Sequence, residues 1–375
     1  MNPSKILVFV LVIPLALFLI LEAALWLLFP SPLLPSIRLK LSNSFSDHGL
    51  ENTVTIVQHA TGLRPANWLE QPSGRRILAL GGEDTGSLLQ EDSDTWWGQL
   101  ERQLEAAELG EVSVGAFGGG ALSNASRWLV SQEDLGELDL LIVLAGSDEF
   151  LGRGAEYRYE AGLASRKTPP IRPKNALMKS VVGYSQLARK LWHGRLLQGQ
   201  EQRQRELGQD DYFKKRFQAQ RNVYGQIGGS IGALPVKEGE NPVKEFEEAL
   251  AVIVKWAGAR GVPVLFVSEP SPHSAVVPFA LSQRFRQFAF LEMAAEGKEG
   301  TVVKVDPAVI AQGISELTRR AQALLAGAAN GKVSDLAAEF PIEKDHFFDD
   351  IYFSDLGSQK VASELVPVVA EMLSR

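Results

Sequence analysis

The chain has no cysteine in its 375 residues, so disulfides and thiolate metal sites are both excluded. It has no basic stripe interleaved with aromatics, and its formal net charge is −7, which argues against a nucleic-acid partner. It lacks the Gly-x-Gly-x-x-Gly fingerprint: the turn at Gly81-Gly82 holds only the bare pair, so no dinucleotide cofactor is expected, and no other cofactor is implied. Internal repeats and low-complexity tracts are missing. Histidine is scarce, with five in all, and His48, His59, His193 and His273 have no motif around them.

What is present is apolar and well distributed. At 45% hydrophobic the chain can bury a full core. An apolar run of about 24 positions, Ile6–Phe29, is broken only by Pro14 and Glu22 and is long enough for a hydrocarbon core of ~30 Å. It is too long for a cleaved signal peptide, and Leu28-Phe29-Pro30 makes a poor cleavage site. The reading is a single uncleaved transmembrane helix within residues 1–30, N-terminus inside, with the bulk of the protein outside the cytoplasm. An acid inside a span is costly, so Glu22 either faces a partner helix or reaches the headgroup region, with Trp26 at the same interface. Glu22 and Trp26 are therefore the candidate contacts to a membrane protein partner.

Residues 31–74, marked by Pro30, Pro32, Pro35 and Pro65, read as an extended connector with little clean periodicity. From Arg75 onward short apolar strands alternate with amphipathic helices. Strands are expected at Ile77–Leu80, Val112–Val114, Leu138–Leu144, Val262–Val267 and Lys332–Leu336. Helices are expected from a Ser93 or Asp94 cap through Leu104, from Asn124, and over Lys244–Ala259, Pro307–Leu325 and Asp355–Leu373. Gly115, Gly118, Gly119 and Gly120 read as a loop after the second strand. This alternation predicts an α/β domain over 75–375 with a parallel sheet covered on both faces. Residues 153–240 depart from the rhythm and read as a variable insertion: Gln198–Gln220 as a solvated helix face, Arg166–Lys174 and Gly228–Pro242 as surface loops.

Four short blocks lie in order at the expected strand ends. They are Gly81-Gly82-Glu83-Asp84-Thr85-Gly86-Ser87, Gly115-Ala116-Phe117-Gly118, Ala145-Gly146-Ser147-Asp148-Glu149-Phe150, and Asp349-Asp350-Ile351-Tyr352-Phe353-Ser354-Asp355-Leu356-Gly357. Together they resemble the motif set of the SGNH (GDSL-like) hydrolase superfamily, in its bacterial membrane-anchored type. The resemblance implies a flavodoxin-like three-layer α/β/α domain beside the anchor, at the bacterial inner membrane, with the main domain periplasmic. Most relatives of that kind are esterases and acetyltransferases of envelope polysaccharides. Against the family pattern, Glu83 stands in the nucleophile's place and Ser87 replaces a glycine. Gly118 keeps an oxyanion-side glycine, Ser147 stands where an asparagine would donate, Asp349 keeps the acid, and Tyr352 replaces the base.

Acyl transfer needs an activated nucleophile and donors aimed at the developing oxyanion. A carboxylate at Glu83 is a poor nucleophile towards esters and repels that charge. Tyr352, with an ordinary pKa near ~10, does not shuttle protons at neutral pH as histidine does. Losing one oxyanion donor costs about 10²–10³ in rate, and losing the nucleophile or base costs more. The expected function is a non-catalytic binding or assembly subunit of a membrane complex. The alternatives are an esterase or O-acetyltransferase with displaced residues (Thr85, Ser87 or His346), and a glycan-binding module. A Ca²⁺ or Mg²⁺ site built from Glu83, Asp84, Asp148 and Asp349 is the weaker reading of the same acids. The preferred one is a polar cluster in which Glu83 accepts a hydrogen bond from Tyr352.

Overall fold

In the computed structural model the described residues are 13–28, 36–45, 50–59, 62–70, 74–87, 90–118, 120–132, 135–150, 227–231, 241–273, 289–291, 301–305, 307–328, 330–348 and 352–374. Strand β1 (Ser36–Phe45) pairs antiparallel with β2 (Leu50–His59) as a hairpin. The segment read as an extended connector contains these two ten-residue strands, and its Ile37, Leu39, Leu41 and Val54, Ile56 have the two-residue period of a sheet.

The main sheet comprises β3 (Arg75–Gly81), β4 (Val112–Gly118), β5 (Leu140–Ala145), β7 (Val264–Ser268) and β10 (Gly331–Ser334), all parallel, in the spatial order β10-β7-β5-β3-β4. Renumbered within this sheet alone, that is 2-1-3-4-5, the flavodoxin-like order, and the connection direction reverses between β3 and β5. Ligands of such sheets bind beyond the strand ends at that reversal.

Because β5 is apolar at all six positions, it can be covered on both sides. Leu78, Leu80, Leu141, Val143, Val264 and Phe266 pack with helices α3 (Leu122–Ser131), α4 (Pro242–Gly258) and α5 (Pro307–Leu325) on one face. The alternate residues, Ile77, Ala79, Leu140, Ile142, Leu265 and Val267, pack with α2 (Trp96–Ala106) and α6 (Asp355–Leu373) on the other. The three-layer α/β/α domain is thus written in the strand alternation. Three helices start on side-chain caps: Thr95 accepts from the Gly98 N–H, Asn241 from Lys244 and Ser354 from Gly357. Thr95, rather than Ser93 or Asp94, is the cap of α2, and Thr95 is buried.

A second small sheet joins β9 (Thr301–Val305) in parallel to β6 (Ile227–Ile231) and antiparallel to β8 (Ala289–Leu291). Ile227–Ile231 falls in a stretch that reads as surface loop, and Gly228 and Gly229 mask the strand in the sequence. The rest of the insertion, with the charged run Gln198–Gln220 and the loop 166–174, lies outside the described residues.

β4 is longer than the sequence suggests, because Gly115 and Gly118 belong to the strand. A Cβ on Gly115 would come within 2.5 Å of the Trp68 ring, and one on Gly118 would overlap the backbone of Gly86. Close packing, not loop geometry, demands these glycines. Leu63, Arg64 and Trp68, which precede residue 75, are buried against the same sheet, and Arg64 makes an antiparallel bridge to Ala116. The N–H groups of Val114 and Ala116, on the outer edge of β4, donate to Glu101 Oε2 at 2.6 Å and to the Arg64 carbonyl at 2.7 Å.

Helix α1 (Ile13–Leu28) covers 16 residues of the expected span, about 24 Å at the helical rise. Leu17 to Leu21 are exposed, and among the described residues no helix is long and apolar enough to cross a membrane. Residues 6–12 and 29 of the apolar run lie outside the described residues, and so does any fixed account of the Trp26 side chain.

Candidate functional site

Glu83 opens a single helical turn, Glu83–Gly86, directly after β3. Its own N–H donates to Asp148 Oδ2. The turn closes through Gly86 N–H to the Gly82 carbonyl (3.2 Å) and Ser87 N–H to the Glu83 carbonyl (2.7 Å). Ser87, in the place of a family glycine, has φ 32° and ψ 69°, a left-handed conformation that glycine takes without strain. Asp148 presses so closely on Gly82 that a Cβ there would overlap its carboxylate.

Behind the turn lies Arg64, 1% exposed. Its guanidinium donates to the carbonyls of Gly86 (2.6 Å), Ser87 (2.7 Å) and Gln90 (3.0 Å) and to Asp92 Oδ1 (2.9 Å). Gln90 carries the tie onward: it accepts from Ser87 Oγ (2.8 Å) and Ser358 Oγ (3.2 Å), and donates to Asp355 Oδ1 (2.9 Å) at the start of α6. Trp97 Nε1 donates to the Thr85 carbonyl at 3.0 Å.

Tyr352 comes from the other end of the chain. Phe347 and Phe353 form an antiparallel bridge, the Phe348 N–H donates to the Tyr352 carbonyl (2.9 Å), and the Ser354 N–H donates to the His346 carbonyl (3.0 Å). The rings of Phe340, Phe347 and Phe353 pack together beneath this loop. Held there, Tyr352 is 3% exposed and its hydroxyl donates to Glu83 Oε2 at 2.5 Å. The hydrogen bond expected from the two motif frames is present. Asp349 lies outside the described residues.

Ser147 begins a short 3-10 turn after β5, and its hydroxyl donates to Glu269 Oε1 at 2.7 Å. It is turned towards Glu269, on the segment after β7. Glu149 Oε1 accepts from the Leu122 N–H at 2.6 Å, a carboxylate at the N-terminus of α3 where the helix dipole favours it. Asp84 Oδ1 accepts from the Phe353 N–H at 3.2 Å. Burial pushes the Glu269 carboxyl up to about 7; the hydrogen bonds from Ser147 and Asp84 oppose this, while the Glu149 charge adds to it.

The predicted residues Glu83, Gly118, Ser147 and Tyr352, with Asp84 and Asp148, thus meet at the carboxyl ends of β3, β4 and β5, at the sheet's reversal point. Gly118 packs against the Glu83 turn. Asp84 and Asp148 spend oxygens on backbone N–H groups, and among the described residues no group of three or more His, Asp or Glu is arranged to hold a metal. Of the displaced candidates, Ser87 donates to Gln90, and His346 Nδ1 lies 2.9 Å from the Pro341 carbonyl. Sequence reasoning missed Arg64, Glu149 and Glu269. Glu269 had one usable signal, an acid directly after a buried strand whose neighbours also end in acids.

No family model and no curated protein matches the chain. Among solved structures it is similar to a lipase/acylhydrolase from Enterococcus faecalis (14% identity over 79% of this chain and 95% of that one, TM-score 0.38). It is also similar to TesA (12% identity, 80% and 99% covered, TM-score 0.40) and to an acetyl xylan esterase (11% identity, 78% and 99% covered, TM-score 0.39). The fold rests on the strand order and the two-faced packing of the sheet.

Proposed function

We propose that this chain is an SGNH-like domain that binds instead of hydrolysing, a non-catalytic subunit of an assembly at a bacterial inner membrane. Its main domain would lie outside the cytoplasm, anchored by the apolar run Ile6–Phe29. The observation that carries the reading is the 2.5 Å hydrogen bond from Tyr352 to Glu83: the two places where base and nucleophile would act hold each other. Ser147 supports it too, since its hydroxyl is committed to Glu269. A carboxylate at the head of the site opposes the negative charge that acyl transfer builds. Membrane attachment is supported by the length of the apolar run, and contact with a partner helix by the position of Glu22 within it.

Two experiments test this. A serine-directed fluorophosphonate should leave the native chain unlabelled; strong labelling abolished by Ser87→Ala would return the esterase or O-acetyltransferase reading. Extraction of the native membrane in mild detergent should retain a stoichiometric protein partner. Retention of envelope glycan without such a partner would point to a glycan-binding module.

A further inference from the structure

The register of the β1–β2 hairpin divides its residues into two unlike faces. In an antiparallel pair, directly opposed residues share a face, and the next residue along each strand takes the other. Leu39 stands opposite Ile56, Leu41 opposite Val54 and Phe45 opposite Leu50, all on one face. Only Asn43, Asn52 and Gln58 are polar there, and no residue of that face is charged. The other face takes Arg38, Lys40, Glu51 and His59 among serines and threonines, with Val57 its one apolar residue. Two strands alone are marginally stable in water, so the apolar face needs a cover. Among the described residues β1 and β2 hydrogen-bond only to each other, and no other helix or strand packs closely on them.

We propose that this apolar face rests on the lipid surface, making the hairpin an interfacial element between the run Ile6–Phe29 and the α/β domain. The inference rests on the anchored reading of that run and adds the surface by which the domain is held against the bilayer. Position selects the occupant. Residues 29–35 alone join α1 to β1, so Ser36 stays within about 30 Å of the end of the helix. Ser36 and His59 pair at the open end of the hairpin, so both connections leave from that end. Beyond His59 the chain soon reaches Leu63 and Arg64, which are buried against the domain. A face tethered this closely to a bilayer meets lipid at high effective concentration and needs little affinity of its own.

A second copy of the hairpin is the rival cover. Ten residues per strand give a face about 33 Å long and about 10 Å wide, or roughly 300 Å². A stable interface buries roughly 800 Å² per partner, so two such faces are too small to hold a dimer by themselves. A bilayer imposes no such threshold on a tethered element. At the interface the apolar side chains would sink about 5–10 Å into the headgroup boundary, with Arg38 and Lys40 on the watered side. The open strand edges would then meet hydrated headgroups, not hydrocarbon, and keep their backbone groups satisfied.

The native chain has no cysteine, so single cysteines can carry a fluorophore in the full-length protein. It is reconstituted into vesicles of phosphatidylethanolamine and phosphatidylglycerol, with nitroxide lipid as the membrane quencher and iodide as the aqueous one. Labels on Leu41→Cys and Val54→Cys should be quenched about twofold by a nitroxide near the headgroup. Labels on Lys40→Cys and Thr55→Cys, from the other face, should answer to iodide instead. Two sites on each face keep the test decisive if one variant fails to fold. Labels at 41 and 54 that answer to iodide as those at 40 and 55 do would overturn the proposal. Shielding of 41 and 54 from both quenchers would overturn it too, since protein would then cover the face. Leu17→Cys, read against a nitroxide deep in the acyl chains, reports the anchor separately. Quenching there without quenching at 41 and 54 keeps the anchor and removes the interfacial hairpin. Quenching at 41 and 54 alone does the reverse, and quenching at none of the three removes both.

Discussion

The Tyr352 hydroxyl donates to Glu83 Oε2 across 269 residues of sequence, joining the turn after β3 to the loop before α6. A hydrogen bond to a charged acceptor contributes about 1.5–3 kcal/mol when buried, and Glu83 is only partly buried, so the lower end applies. Tyr352→Phe should therefore lose about 1.5 kcal/mol in urea denaturation, and Glu83→Gln less. The paired replacement Glu83→Ser with Tyr352→His restores the family's residue types. It should label slowly with fluorophosphonate where neither single variant does, because Ser147 supplies no amide donor.

Stability should depend on pH through Glu269. Its folded pKa, about 7, lies above its ordinary value of 4.5, so the folded state binds the proton more tightly. The contribution is fully present below the unfolded pKa and is lost as pH rises through the folded one. Between about pH 4.5 and pH 7 this group alone should lower stability by at most ~1.4 kcal/mol per pH unit. Thermal melts of native protein and Glu269→Gln across this range isolate it: the native slope should be the more negative of the two.

Arg64 serves four acceptors with one planar fork, and a lysine cannot copy that. Arg64→Lys and Arg64→Ala should both be destabilising, the latter by about 3–5 kcal/mol, because buried carbonyls and Asp92 lose their partner. Urea midpoints would measure this. Loosening of the 86–92 loop should also appear as faster proteolysis there.

Gly115→Ala should cost about 1–3 kcal/mol through overlap with Trp68. Combined with Trp68→Leu the two effects should not add, since the smaller side chain vacates the contested volume. A double-mutant cycle in Tm reads this directly.

What was legible in the sequence follows from where information is local. β5 and β7 announce themselves because strands covered on both faces are apolar throughout, and α5 and α6 match their expected ends. β4 was cut short because Gly115 looks like a loop residue until the Trp68 ring beneath it is known. The hairpin at 36–59 was hidden by the prolines before it, although its alternation is plain once the register is seen. Within the site, Glu83 and Tyr352 were found through motif frames. Glu269 and Arg64 were not, because no frame contains them and their partners lie 122 and 28 residues away.

The outer rim of β4 has a consequence for recognition. Arg64 and Glu101 already occupy the outward N–H groups of Ala116 and Val114, and the opposite margin, β10, is four residues long. An extended peptide cannot zip onto β4 as an added strand without first evicting the Arg64 backbone, whose side chain also secures the nucleophile-like turn. A partner that bound that way would disturb the site itself, so binding and site geometry would be physically tied.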